Sequence, residues 1–126
     1  MQDFTRLNVW RKSFDLAVQL EGALTTRTVR GIPGLRSQTL RAAAAVSTNI
    51  CEGCGTESNR EFLRYLDIAA ASNKELFNHL LMAHAIGILD DAAYAMLEGK
   101  REEVAKMLFS YKRAVQRRAS PLTQHD

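Results

Sequence analysis

The chain has 126 residues, 46% hydrophobic and 25% charged, enough for one domain with a packed core. Seven glycines and two prolines are too few for a sheet of short strands joined by turns, and favour long helices. The longest uncharged stretch, Leu76 to Leu89, is 14 residues and holds Asn78, His79 and His84, short of the roughly 20 apolar residues of a membrane span. The start MQDFTRLNVW lacks the basic-then-apolar pattern of a secretory signal, so the expected compartment is the cytoplasm, with both cysteines as thiols.

The first helix is expected from about Thr5 to Thr26, with Leu7, Trp10, Phe14, Ala17, Val18, Glu21 and Leu24 on one stripe at three- and four-residue steps. Residues 26 to 34, with two glycines and a proline, break it. A second helix is predicted from Leu35 to Cys51, its buried stripe made of Leu35, Ala42, Ala43, Val46 and Ile50, with Gly53 and Gly55 ending it in a left-handed cap. The third opens on Ser58-Asn-Arg-Glu61, a capping box in which Ser58 and Glu61 exchange hydrogen bonds with each other's amides. Phe62, Leu66, Ala69, Asn73, Leu76, Leu80 and Ala83 then follow in alternating steps of four and three, the mark of helices packed nearly parallel, up to about Gly87. Asp90 or Asp91 caps the fourth helix, whose inner face is Tyr94, Leu97, Val104, Leu108, Tyr111 and Val115. Four amphipathic helices with short connections predict an all-α, up-down antiparallel four-helix bundle over residues 1–119, with a disordered tail at 120–126.

Catalytic patterns are weak. Cys51 and Cys54 form a CxxC, but at a helix C-terminus, the wrong end for lowering a thiol pKa. A zinc site commonly needs a second cysteine pair or two histidines. His79 and His84 lie about 140° apart around their helix and do not converge. Three readings of the pair stay open: small thiols at a helix end, a metal shared between chains, or a redox site. No nucleotide-binding, hydrolase or zinc-protease motif appears, and neither catalytic activity nor a cofactor is expected.

The net charge is only +3, unevenly placed. Ala105 to Arg118 carries Lys106, Lys112, Arg113, Arg117 and Arg118 with no acid, and Arg27 to Arg41 carries four arginines with no acid. Cations favour a helix C-terminus for local reasons, yet five of them also suit phosphate contact. Lys112, Arg113, Arg117 and Arg118 are the candidate nucleic-acid-binding residues, with Arg36 and Arg41 as secondary candidates. The second and third helices offer more apolar and small surface (Ala42 to Val46, Ile68 to Ala71, Leu76 to Leu89) than one bundle needs, which points to self-association.

Leu7-Asn-Val-Trp-Arg-Lys12, Gln38, Arg41-Ala-Ala43, Asn49-Ile-Cys-Glu-Gly53 and Ser58-Asn-Arg-Glu-Phe62, continuing through Leu66, Ala69, Ser72, Glu75 and Leu76, resemble the four-helix-bundle family also called the 23S rRNA intervening-sequence protein family. Some members are encoded within insertions in bacterial 23S rRNA genes. The resemblance spans about residues 4 to 116; its most specific part is the NI-x-EG followed by S-x-x-EF. It implies a ring-shaped homopentamer without known catalytic activity. Related retroelement accessory proteins bind a reverse transcriptase and nucleic acid through a basic surface, so RNA or DNA and a protein partner are both implied. Relatives usually carry Ala where Cys51 stands, so the resemblance makes the CxxC incidental to a helix joint. Asn49, Glu52, Glu61, Arg41 and Glu75 match polar family positions. Read from the residues, Asn49 and Glu52 can satisfy backbone groups across the turn, and Arg41 can pair with Glu75 or Glu61.

Overall fold

The computed structural model describes residues 2–24 and 31–119. Among them are a 3-10 turn, Phe4–Arg6, and four α-helices: α1 Asn8–Ala23, α2 Leu35–Cys54, α3 Asn59–Ala85 and α4 Asp91–Ala119. The expected end of the first helix at Thr26, Arg27, Arg30 and the tail at 120–126 lie outside the described residues. The helices touch in the cycle α1–α2–α3–α4–α1, the closed square of a four-helix bundle. No helix among the described residues is long and apolar enough to cross a membrane.

Local chemistry sets the helix ends. Ser58 is extended and its Oγ accepts from the Glu61 amide at 3.1 Å. The return half of the capping box is absent, because the Glu61 carboxylate turns outward to Arg64 at 3.1 Å. At the other end of α3, Gly87 has φ +82°, Ile88 N–H donates to Ala83 C=O at 2.9 Å and Gly87 N–H to His84 C=O at 3.1 Å. That is a Schellman cap, and its left-handed residue is a glycine because a Cβ there is strained. Asp90 caps α4 by accepting from Ala93 N–H at 2.8 Å; Asp91 instead faces His84, 2.7 Å away.

The end of α2 differs from expectation. The helix runs on to Cys54, and its cap residue Gly55 is right-handed, φ −85°. Gly53 lies inside the last turn, and its role is steric. A Cβ on it would stand 2.7 Å from Phe62 Cδ1 and 3.1 Å from Tyr65 Cβ, so the absent side chain is what lets α3 start against α2.

The core falls into two apolar compartments. One gathers Leu16, Leu20, Leu24, Leu35, Ala42, Ala43, Leu76, Leu80, Ala83, Leu89 and Leu97. The other gathers Val9, Val46, Ile50, Cys54, Phe62, Leu66, Ala69, Val104, Leu108 and Val115. At the step between them three helices bury a polar residue: Ser13 on α1, Asn73 on α3 and Arg101 on α4. The predicted faces of α2 and α3 are the buried ones. The predicted face of α4 lacks Arg101, which fills the gap between Leu97 and Val104.

The predicted face of α1 is only partly the inner one: Leu24 is buried and Leu7, Trp10 and Ala17 pack against the core, but Phe14 and Val18 do not face inward. The buried stripe is Val9, Ser13, Leu16, Leu20 and Leu24, while Phe14 and Val18 are 44% and 59% exposed. Ser13 can be buried because its Oγ donates to the Trp10 carbonyl at 2.8 Å and so brings its own partner. The aromatics lie on the flank, Phe4 edge-on to Trp10 at 5.0 Å and Trp10 stacked on Phe14 at 4.9 Å.

Candidate nucleic-acid interface

The cations of α4 do not form one patch. At about 100° per residue, Lys106, Phe109, Ser110, Arg113 and Arg117 fall within one outward arc of roughly a quarter turn; all five are exposed. Lys112 points to the α3 side, where its ammonium pairs with the Asp67 carboxylate. Arg118 points the opposite way, toward Tyr111, whose phenol donates to Gln2 Oε1 at 2.8 Å. Burial raises the Tyr111 pKa, and Arg118 beside it pulls the other way.

The secondary candidates lie elsewhere. Arg36 is held by Glu21 at 2.9 Å and by the Leu24 carbonyl, so its charge is spent in tying α2 to α1. Arg41 is exposed on α2, the helix diagonal to α4, and makes no ion pair with Glu61 or Glu75. Those carboxylates have nearer partners on their own helix, Arg64 and, at 3.2 Å from Glu75, His79. Asn49 also stays local: its amide donates to the Ala45 carbonyl one turn back at 2.8 Å rather than across the joint. The Glu52 side chain is exposed, and it is its backbone carbonyl that accepts from Gly55 N–H at 3.0 Å.

Two grooves flank the α4 ridge. One, of about 590 Å³, runs between α4 and the N-terminal segment, lined by Arg6, Leu7, Asn8, Lys106, Met107 and Tyr111 among others. The other, of about 710 Å³, runs between α3 and α4, with Ala70, Asn73, Lys74 and Phe77 on one wall and Arg101, Ala105, Lys106 and Phe109 on the other. Both lie within the size range of ligand clefts, about 300–1,000 Å³.

The second groove has a rigid floor that the sequence does not announce. Arg101 is only 7% exposed. Its Nε and one terminal nitrogen reach the two Glu98 oxygens at 2.6 and 2.9 Å, and the other terminal nitrogen reaches Asn73 Oδ1 at 2.6 Å. Its guanidinium carbon lies 4.3 Å from the centre of the Phe77 ring. A guanidinium only donates, so the Asn73 oxygen must face it. The Asn73 Nδ2 is then buried without a hydrogen-bond partner. The signal that could have found this floor is an i, i+3 Glu98–Arg101 pair on the inward step of α4, opposite an inward Asn.

The cysteines close off one end of the bundle. Cys54 is buried and its thiol is pushed up to about 11, first by burial and then by the neighbouring Cys51. A thiol shifted this way is a poor nucleophile, the opposite of a redox cysteine. Iodoacetamide at pH 8.5 should therefore label the half-buried Cys51 in the folded protein and leave Cys54 protected until denaturant is added. Labelling of Cys54 should rise only as pH approaches its raised value. Mass spectrometry that finds both thiols labelled equally fast without denaturant contradicts this burial.

A family model described as 23S rRNA-intervening sequence protein matches residues 5–110. The chain belongs to that family. The family fold is also seen in a crystal structure of a protein of unknown function from the S23 ribosomal protein family of Bacteroides thetaiotaomicron. It superposes with a TM-score of 0.76 at 22% identity, over 82% of this chain and 97% of that one. No curated protein matches the chain. In this member of the family, Gly53 and Phe62, the last residues of the NI-x-EG and S-x-x-EF stretches, make the close approach at the α2–α3 joint.

Proposed function

We propose that this chain is a helical scaffold without catalytic activity of its own, which binds nucleic acid, RNA foremost, by phosphate contacts along the outer ridge of α4. The observation that carries the reading is the partition of charge. Lys112 and Arg36 are neutralised by carboxylates from other helices, whereas Lys106, Arg113 and Arg117 share one exposed face on which the one acid is Glu102, a turn before Lys106, and none of the three makes an ion pair within the described residues. An unpaired cationic ridge attracts a polyanion and reads no sequence. Assembly into a homopentameric ring, as the family resemblance implies, would repeat the ridge around an axis. Exposed Phe14 and Val18 on α1 supply apolar surface for such contacts between copies.

The test is fluorescence anisotropy of a labelled structured RNA across a salt series. Reversing Arg113→Glu and Arg117→Glu together should weaken binding at least tenfold for every RNA alike. It should also flatten the log–log salt slope by about 0.7–0.9 for each phosphate no longer neutralised. Unchanged affinity removes the ridge from the reading. A second reading, a protein-protein adaptor for a partner such as a reverse transcriptase, draws on the same α1 surface. It gains if RNA does not bind at low salt and a Phe14→Ser, Val18→Ser variant loses a nuclease-resistant protein partner.

A further inference from the structure

We propose that the groove between α3 and α4 accepts unpaired nucleobases, with Phe109 as the stacking platform, so that this protein prefers single-stranded over duplex RNA. The inference rests on the phosphate-binding reading of the α4 ridge and adds what that ridge cannot supply, a means of telling flexible strands from helices.

Phe109 is the most exposed large apolar side chain among the described residues, 63% open to solvent, in the midst of the cationic ridge. The Arg113 guanidinium carbon lies over the ring at 5.8 Å from its centre, a loose cation–π contact on one face that leaves the other face for a base. Next to the ring the groove walls are small, Ala70 and Ala105, which leaves a slot for a flat group. The rim carries Lys74 and Lys106 against one acid, Glu102. The floor is stiff, because Arg101 is clamped by Glu98 and Asn73 and backed by Phe77. An aromatic face, an adjacent guanidinium and lysines tracking the edge are the parts with which proteins bind single strands: bases stack on the ring while the backbone lies along the cations. A duplex keeps its bases stacked inside, so it can use the ridge cations but not the ring.

The experiment compares a labelled unstructured oligouridine with a duplex RNA of equal length, by anisotropy at fixed salt. Phe109→Ala should lose about 5- to 150-fold in affinity for the single strand. It should leave duplex affinity and both salt slopes unchanged, since no cation is removed. Phe109→Trp should retain single-strand binding, and its added indole fluorescence should be quenched by the oligouridine and not by the duplex. Equal loss on both RNAs, or no loss on the single strand, overturns the stacking site. If that happens while Arg113→Glu with Arg117→Glu still weakens binding, the ridge stands and only the groove falls. If neither RNA binds the parent protein, both readings fall together. A change of sedimentation coefficient in Phe109→Ala at equal concentration would assign the groove to contacts between copies and overturn the proposal. The residue is exposed enough that loss of fold is not the expected cause, and circular dichroism checks this.

Discussion

Arg101→Ala should lower the unfolding temperature by about 10–25 °C, the largest effect expected of any charge removal in this protein. Glu98 is largely buried beside the guanidinium, with 18% of its side chain exposed against 9% for Arg101. Removing the cation leaves that carboxylate and the Asn73 amide without partners on the largely buried floor of the groove, and breaking a buried pair from one side costs about 3–5 kcal/mol. For a domain of this length each kcal/mol moves the midpoint by roughly 3–5 °C. Replacing all three together, Arg101→Met, Glu98→Met and Asn73→Leu, should restore most of the loss, because no buried polar group is then orphaned. Thermal unfolding followed by circular dichroism at one protein concentration checks both. A single variant within 1 kcal/mol of the parent would show that the guanidinium is not buried in solution.

The second large effect is expected at Gly53. Gly53→Leu should cost roughly 3 kcal/mol, the upper end of what overpacking does in a tight core. Even the first added carbon would meet Phe62 at 2.7 Å, and the Tyr65 Cβ at 3.1 Å is too close to the α3 backbone to swing away. The two helices must separate, loosening the compartment that holds Ile50, Cys54 and Leu66. Shrinking the neighbour with Phe62→Leu should recover part of the stability that Gly53→Ala removes. A double-mutant cycle in urea would read that coupling, and strictly additive effects would argue against a direct clash.

The sequence makes some of this plain and hides the rest for identifiable reasons. The face of α3 is legible throughout because each inward step but Asn73 is apolar and the steps keep a strict seven-residue repeat, which Leu63, Ile68, Phe77 and Leu81 off that stripe do not extend. On α1 the inward step holds Ser13, while Trp10, Phe14 and Val18 draw a more hydrophobic line that the fold leaves at the flank. Short hydroxyls mislead such a reading, because Ser13 and Thr39 satisfy themselves on carbonyls of their own helix and are buried without a tertiary partner. Arg101 escapes notice because a lone arginine reads as exposed; only its relation to Glu98 and to Asn73 on another helix shows otherwise. The cationic ridge is visible as a run of basic residues. Its division into free and spent charges is not, because Asp67 and Glu21 reach Lys112 and Arg36 from distant parts of the chain.

The polar step between the two apolar compartments has one more consequence. Helices built on a seven-residue repeat have a near-equivalent fit one repeat up or down, since leucine then meets leucine again. Here such a slide would carry Arg101, still paired with Glu98 on its own helix, from Asn73 to Leu66 or Leu80, leaving a guanidinium nitrogen and the Asn73 amide without partners. The pair acts as the index mark on a sliding scale, and only one setting of α3 against α4 reads true.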